Sequence, residues 1–456
     1  MLQWFRNSPK TGSAPRTRLS AELMEDRSVP SANSLFNPAP LGASTFVYVE
    51  SNNPEPGHNA VLAYNRAANG ELHQIGTFAT GGTGQLNVPK LVGPDDGDQQ
   101  VQATPDGKFL FAVNQGSDTI TAFRIRTDGS LDRVGVFATG GDQPDSIGIA
   151  GTHLYVANRG NAAAGAPGTT APSVTAFNIN RDGTLSAIPH SKVTFPVGTF
   201  VTQTLVSRDN RFLFVEAATL EGTAGGNTLT PFRINADGTL TAAPGGAAGA
   251  GTNAPILLGS AVHPSLNIIY TGFTSAGQIG VFTYDETGRT NFVGTSADQG
   301  AGPCWCAVSA DGRALYVANT GTDSIGVFSL ADPLHPVQIE EVQLGGPRVK
   351  NGTANSPRAN AFEIALDPTG KYLFAVTQST DPSFPQGNQL HTLKIARDGT
   401  LTEPNAPVIF SKRDVPANAH PQGVEVVQLG GHGHPLFGWL DFGIDLEDRA
   451  HHRRHW

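Results

Sequence analysis

Clustered positive charge is the first thing this sequence lacks. Its 456 residues carry 30 Lys and Arg against 39 Asp and Glu, a formal net charge of -9, and only 15% of positions are charged. Binding to nucleic acid or to anionic lipid rests on grouped cations, so neither is expected as a partner. Cysteine is nearly absent: Cys304 and Cys306 are the two in the chain. No disulfide framework is available, and the fold must stand on its core. No apolar run approaches the about 20 residues of a membrane span. The first residues also lack the apolar stretch of an ordinary secretory signal. What the chain does have is glycine (54) and proline (32) between regular runs of Val, Ile, Phe and Tyr. That composition predicts many short strands joined by turns.

Two stretches repeat almost word for word: VQATPDGKFLFAVNQGSDTITAF from Val101 to Phe123, and CWCAVSADGRALYVANTGTDSIGVF from Cys304 to Phe328. The central strand of these two, beginning at Lys108 and Arg313, recurs in weaker form at Phe46, Thr152, Arg211, Asn267 and Lys371, seven copies in all. A second marker gives an independent count. A tight turn followed by Leu starts at Asn69, Asp128, Asp182, Asp237 and Asp398, with degenerate forms at Glu286 and Ala331. Asn-Gly and Asp-Gly favour positive φ and close hairpins. The two markers alternate, so each repeat holds about four short strands in roughly 45–65 residues, the pattern of a β-propeller blade.

The ends of the repeat region predict closure. The copy at Phe46 has no strand before it of the kind that precedes the others, and an orphan strand of that kind, Pro421 to Leu429, stands at the far end. Pairing the two removes the open sheet edges of an array. The expected fold is therefore all-β, a seven-bladed propeller over residues 45–429. Residues 1–44 read as a disordered arm, and residues 430–456 as a flexible Gly/His-rich tail without the fixed geometry of a metal site. Cys304 and Cys306, two apart on a predicted inner strand, are expected to face the same way as core or channel-lining thiols. They are too few to define a zinc site.

Pro105 to Asn114, the Asp-Gly-Thr-Leu turns, DSIGVF at Asp323 and LDPTGKYLF at Leu366 resemble the seven-bladed lactonase family, which includes propeller 6-phosphogluconolactonases and carboxymuconate cyclases. The resemblance covers about residues 45–429 and implies hydrolysis of a small sugar or aromatic lactone, without a cofactor. It also exposes departures. Where members resemble Pro-His-x-His in the fourth blade, this chain has Phe200 and Thr202; the fifth blade lacks the Asn-Glu pair; in the sixth, Cys304-Trp305-Cys306 replaces Ala-Glu-Ile. Met24–Arg27 with Pro30-Ser31 resembles a segment of exported bacterial proteins, so an exported or cell-surface location is expected, with the cytoplasm as alternative.

Lactone opening needs a base, a positioned water and donors for the oxyanion. In a propeller such groups meet at the axis, from the ends of each blade's second strand and from residues leading into its first. The strand-end candidates are Glu50, Asn114, Arg159, Glu216, Asn319 and Gln378; Asp145, Glu363 and His420 lead into first strands. Glu216 follows an apolar strand, so it reads either as a partly desolvated base with a raised pKa or as a solvated acid at a strand end. Glu363 points to the channel if Phe362 and Ile364 pack into the blade. Arg159 reads either as a bidentate grip on a carboxylate or lactone oxygen or as a surface Arg on a loop, and His420 either as an acid–base group or as a satisfied loop histidine. These four are the catalytic candidates; Glu50, Asn114, Asp145, Asn319 and Gln378 are the substrate-binding ones. Three other readings compete: a non-catalytic exported propeller that binds an envelope partner, a divalent-metal lactonase using ring oxygens, and, among lactonases, the phosphorylated substrate. Too few acids fall at ring positions for the second, and too few cations for the third. A monomer is expected.

Overall fold

The computed structural model describes residues 43–85, 97–161, 169–219, 227–251, 254–345, 348–351, 354–381 and 383–430. The arm and export-like segment of residues 1–42 and the histidine tail of 431–456 lie outside the described residues.

Seven antiparallel sheets account for the repeat. Each has four main strands, and the innermost strands of successive sheets touch in a closed ring. In order, those innermost strands are Gln422–Leu429 (blade 1), Val101–Ala103 (blade 2), Pro144–Ala150 (blade 3), Phe200–Val206 (blade 4), Leu257–Val262 (blade 5), Pro303–Val308 (blade 6) and Ala359–Leu366 (blade 7). The seven sequence copies form the second strands, such as Ser44–Glu50 and Phe109–Asn114. A separate two-stranded hairpin, Arg348–Asn351 with Ala354–Pro357, lies between blades 6 and 7 in sequence.

Closure occurs as the orphan strand predicts. Ser44–Glu50 pairs antiparallel with Gln422–Leu429, with Val47 opposite Val426 and Phe46 opposite Val427. The first and last parts of the repeat thus share one sheet, and no blade edge is left at the seam.

Burial explains why the central strands are apolar throughout rather than alternating. A blade in a ring is covered on both faces, so both sets of side chains enter a core. Phe109–Asn114 is buried at every position. Phe109, Phe111 and Val113 of blade 2 pack with Ile147, Leu154 and Val156 of blade 3. The same kind of interface joins blade 7 to blade 1, through Phe374, Val376, Val47 and Val49.

The Asp-Gly turns work between blades as well as within them. Gly129 has φ +80°, and a Cβ there would lie 2.2 Å from the Phe46 ring; Gly183 has φ +91° and would meet Phe109 at 2.3 Å. Backbone conformation and a close aromatic neighbour both require glycine at these turns. A tyrosine in the second strand reaches such a turn of the next blade. Tyr48 donates to the Gly129 carbonyl at 3.0 Å, Tyr155 to Gly238 at 3.0 Å and Tyr316 to Gly399 at 3.1 Å. Tyr372 spans the seam, donating to the Ala68 carbonyl at 3.0 Å.

Candidate functional site at the propeller axis

The innermost strands are irregular at one shared place. Pairing with the second strand slips at Asp145 in blade 3, Thr202 in blade 4, Gly259-Ser260 in blade 5, Trp305 in blade 6, Phe362-Glu363 in blade 7 and Gly423 in blade 1. In blade 2 the left-handed residue Gln99 (φ 66°) occupies the equivalent place, just before Val101. A β-bulge inserts a residue without a partner and re-aims its side chain. Six bulges, with Gln99 at the matching place in blade 2, therefore make a ring of re-aimed residues around the axis, the hub of the molecule.

The bulge in blade 6 corrects the expectation for the two cysteines. Trp305 (φ 28°) stands between them as an extra residue. That shift reverses the side-chain alternation. Cys304 packs with the core shared with blade 7, and Cys306 with the core shared with blade 5. Both are unoxidised and buried, on opposite faces of the blade.

Glu216 has the most complete surroundings. It ends the second strand of blade 4, Phe212–Ala218, and is wholly buried. Thr202 Oγ1 donates to it at 2.8 Å, Ser260 Oγ at 2.6 Å and the Gly259 amide at 3.2 Å. Desolvation outweighs these donors and lifts its pKa to about 8, with the nearby Asp98 carboxylate adding to the rise.

Glu363 faces the axis from blade 7, while Phe362 and Ile364 enter the core between blades 6 and 7. It accepts the Gln99 amide and contacts the Asp98 carboxyl. Burial, and then the Asp98 charge, push its pKa well up. Asp98 itself is raised to about 6, chiefly by burial. Two buried carboxyls in contact hold a proton between them, because like charges at that range do not both ionise.

Asp98 belongs to a short crossing, Gly97–Gln100, that threads the hub. Its amide donates to the Thr202 carbonyl at 3.1 Å, and the Ile147 amide donates to the Gln99 carbonyl at 3.0 Å. Gln203 Nε2 donates to Asp98 Oδ2 at 2.8 Å. From blade 6, Trp305 Nε1 donates to the Gly97 carbonyl at 2.8 Å. The Trp305 ring lies 3.8 Å, centroid to centroid, from that of Phe362.

The remaining candidates divide. Glu50 and Asp145 are buried and near enough to interact; Glu50 accepts Asn59 Nδ2 and rises to about 8, mainly through desolvation. Asp145 accepts Gln115 Nε2. Arg159 is fully buried, its guanidinium 5.2 Å from the centre of the Phe200 ring. Gln378 donates to the Pro421 carbonyl at 3.0 Å, joining blade 7 to the closing strand, and His420 is buried beside that junction. The two asparagines differ. Asn114 Nδ2 binds Thr119 and Thr121 of its own blade, while its Oδ1 accepts from Asn59 Nδ2, the amide that also donates to Glu50, at 3.0 Å. Asn319 Nδ2 instead binds the acids Asp298 and Glu341. Among the described residues no group of three or more His, Cys, Asp or Glu is arranged to hold a metal ion. No helix among them is long and apolar enough to cross a membrane.

Sequence reasoning missed Asp98, Trp305, Gln203 and Ser260 as hub residues. A signal existed for the first: Asp98-Gln99-Gln100 is a polar run immediately before an innermost strand, where Asp145 stands in the next repeat.

Comparison with known proteins agrees with this architecture. The description "Lactonase, 7-bladed beta-propeller" matches residues 57–166 and 247–408, more than half of the chain. A protein of Bacteroides fragilis named as a candidate 6-phosphogluconolactonase superposes with a TM-score of 0.62 at 18% identity, over 85% of this chain and 98% of its own. The periplasmic gluconolactonase of Pseudomonas aeruginosa gives 0.62 at 18% identity, over 84% and 99%. A Lactobacillus plantarum protein gives 0.59 at 16%, over 83% and 99%. No curated protein matches the chain. At these identities the structures share the fold. The match over more than half of the sequence, on a closed ring of seven blades, makes the chain a member of the seven-bladed β-propeller lactonase family.

Proposed function

We propose that the protein hydrolyses a small neutral lactone, of a sugar or an aromatic acid, with the axial carboxyls as acid and base. One observation carries the reading: Asp98, Glu216 and Glu363 come from three different blades to one buried hub, where desolvation lifts their proton affinity toward neutrality. A carboxyl works best as a general base or acid when its pKa lies near the working pH.

In this scheme ionised Glu216 takes a proton from water as the water oxygen bonds to the lactone carbonyl carbon. Protonated Glu363 gives its proton to the ring oxygen as the acyl C–O bond breaks, leaving a hydroxy acid. Thr202 and Ser260 hold the Glu216 carboxylate in place. Arg159 steadies the carbonyl oxygen as it gains charge. His420 has no part in these steps.

A neutral substrate fits the local charge. Asp98, Glu216 and Glu363 gather carboxyls in the hub, and a phosphorylated lactone would meet them as like charge. Trp305 and Phe362 give the hub an aromatic wall. We further propose an exported location, which the likeness of Met24–Arg27 with Pro30-Ser31 to a segment of exported proteins supports.

The test is a panel of neutral five- and six-membered sugar and aromatic lactones, with acid release followed against the enzyme-free rate. Hydrolysis lost in Glu216→Gln and Glu363→Gln supports the reading. Silence of the native chain across the panel, or rates that both substitutions leave untouched, removes it.

A further inference from the structure

The hub that carries the proposed chemistry is filled by the protein's own backbone. The Gly97–Gln100 crossing uses the groups a substrate would use: Glu363 accepts its Gln99 amide, and Trp305 donates to its Gly97 carbonyl. Thr202 and Gln203 of blade 4 take the amide and carboxylate of Asp98. Glu216 and Glu363 are thereby sealed, at 0% and 3% exposure. Gln99 sits in the left-handed region that a non-glycine residue adopts at a cost. An occupant held this way, and strained, is bistable only if some term in its binding can be withdrawn.

The contact between the Asp98 and Glu363 carboxyls is that term. The other titratable groups around it are Glu216 from blade 4, Asp145 from blade 3 against Gly97, and Cys306 from blade 6, with Glu50 of blade 1 beyond Asp145. The buried cation Arg159, from blade 3, lies on the Phe200 ring. Ionising both carboxyls therefore adds charge among acids. We propose, on the footing of the hydrolase reading, that Gly97–Gln100 is a stopper for the axial site: it stays in the hub while Asp98 and Glu363 share a proton, and withdraws when that proton passes to solvent. Once Asp98 has left, its charge no longer opposes protonation of Glu363, which takes a proton back from solvent and serves as the acid. Burial of both groups sets the release toward neutral and alkaline pH.

Trp305 reports the stopper directly, since its N–H is bonded to Gly97. The other three tryptophans, Trp4, Trp439 and Trp456, lie outside the described residues and are replaced by Phe in full-length protein. Acrylamide quenching of the remaining fluorescence is then followed from about pH 5 to about pH 9, with far-UV circular dichroism as the check on folding. The quenching constant is expected to rise about threefold across the range, and to stay at its low value in Asp98→Asn, which cannot ionise. Unchanged quenching in the parent chain, or an equal rise in Asp98→Asn, overturns the proposal. If Asp98→Asn does not fold, deuterium exchange decides. The Gln99 amide must gain on the Val156 amide as pH rises; a constant ratio overturns the stopper. Neither readout uses a lactone, so an inert protein with this quenching curve refutes only the hydrolase reading, and an active one with a flat curve refutes only the stopper.

Discussion

The indole N–H of Trp305 donates to the carbonyl of Gly97 at 2.8 Å, across 208 residues of sequence. One residue is a bulge in blade 6 and the other begins the crossing that fills the hub. The bond ties opposite parts of the ring through its centre.

Replacing Trp305 therefore has two separable costs. Trp305→Phe keeps most of the packing on Phe362 but leaves the buried Gly97 carbonyl without its donor, a loss of about 1–3 kcal/mol. Trp305→Ala also opens a cavity and costs about 3–5 kcal/mol. Urea unfolding measures both, and equal losses for the two would mean that the hydrogen bond contributes nothing.

Stability should fall as pH rises through neutrality. Glu50 and Glu216 are lifted to about 8 and Asp98 to about 6 in the folded chain, so between about pH 4 and pH 8 the native state holds protons that the unfolded chain has lost. Their contribution is complete below the ordinary carboxyl range and is lost as pH passes the folded values. Calorimetry from about pH 5 to pH 8.5 should record a Tm lower by about 5 °C at the alkaline end, with a shallower slope in Glu216→Gln. A Tm that rises over this interval contradicts the assignment.

Ring closure can be tested by ending the chain at Pro421. That removes the closing strand and leaves Ser44–Glu50, still paired with Ala60–Arg66 on its other side, as an exposed edge. Size-exclusion chromatography should find aggregates or higher oligomers, and heating should give a broadened transition. A monomer that melts like the full chain would contradict a closed ring.

The architecture was readable because it is written seven times. Asp-Gly turns and apolar strands alternate at a steady spacing, and the orphan strand before Leu429 named its own partner. The hub was only half readable. Glu216 and Glu363 stand out as acids beside apolar residues, whereas a bulge has no residue signature of its own: Asp145, Thr202, Trp305 and Gly423 share a position and no chemistry. That is why the two cysteines were expected on one face. Asp98 escaped because it precedes a strand of only three residues, Val101–Ala103, in a stretch that reads as loop. Asn114 and Asn319 were at the right strand ends, but their amides are bound by hydroxyls and carboxylates of neighbouring strands.

The central claim is that the axial carboxyls open a lactone ring, and initial rates on a neutral lactone across pH test it most directly. The ratio kcat/KM should rise with pH through the ionisation of Glu216, near 8, and fall at least about a hundredfold in Glu216→Gln with the fold intact. Hydrolysis that is independent of pH and survives in Glu216→Gln would contradict it.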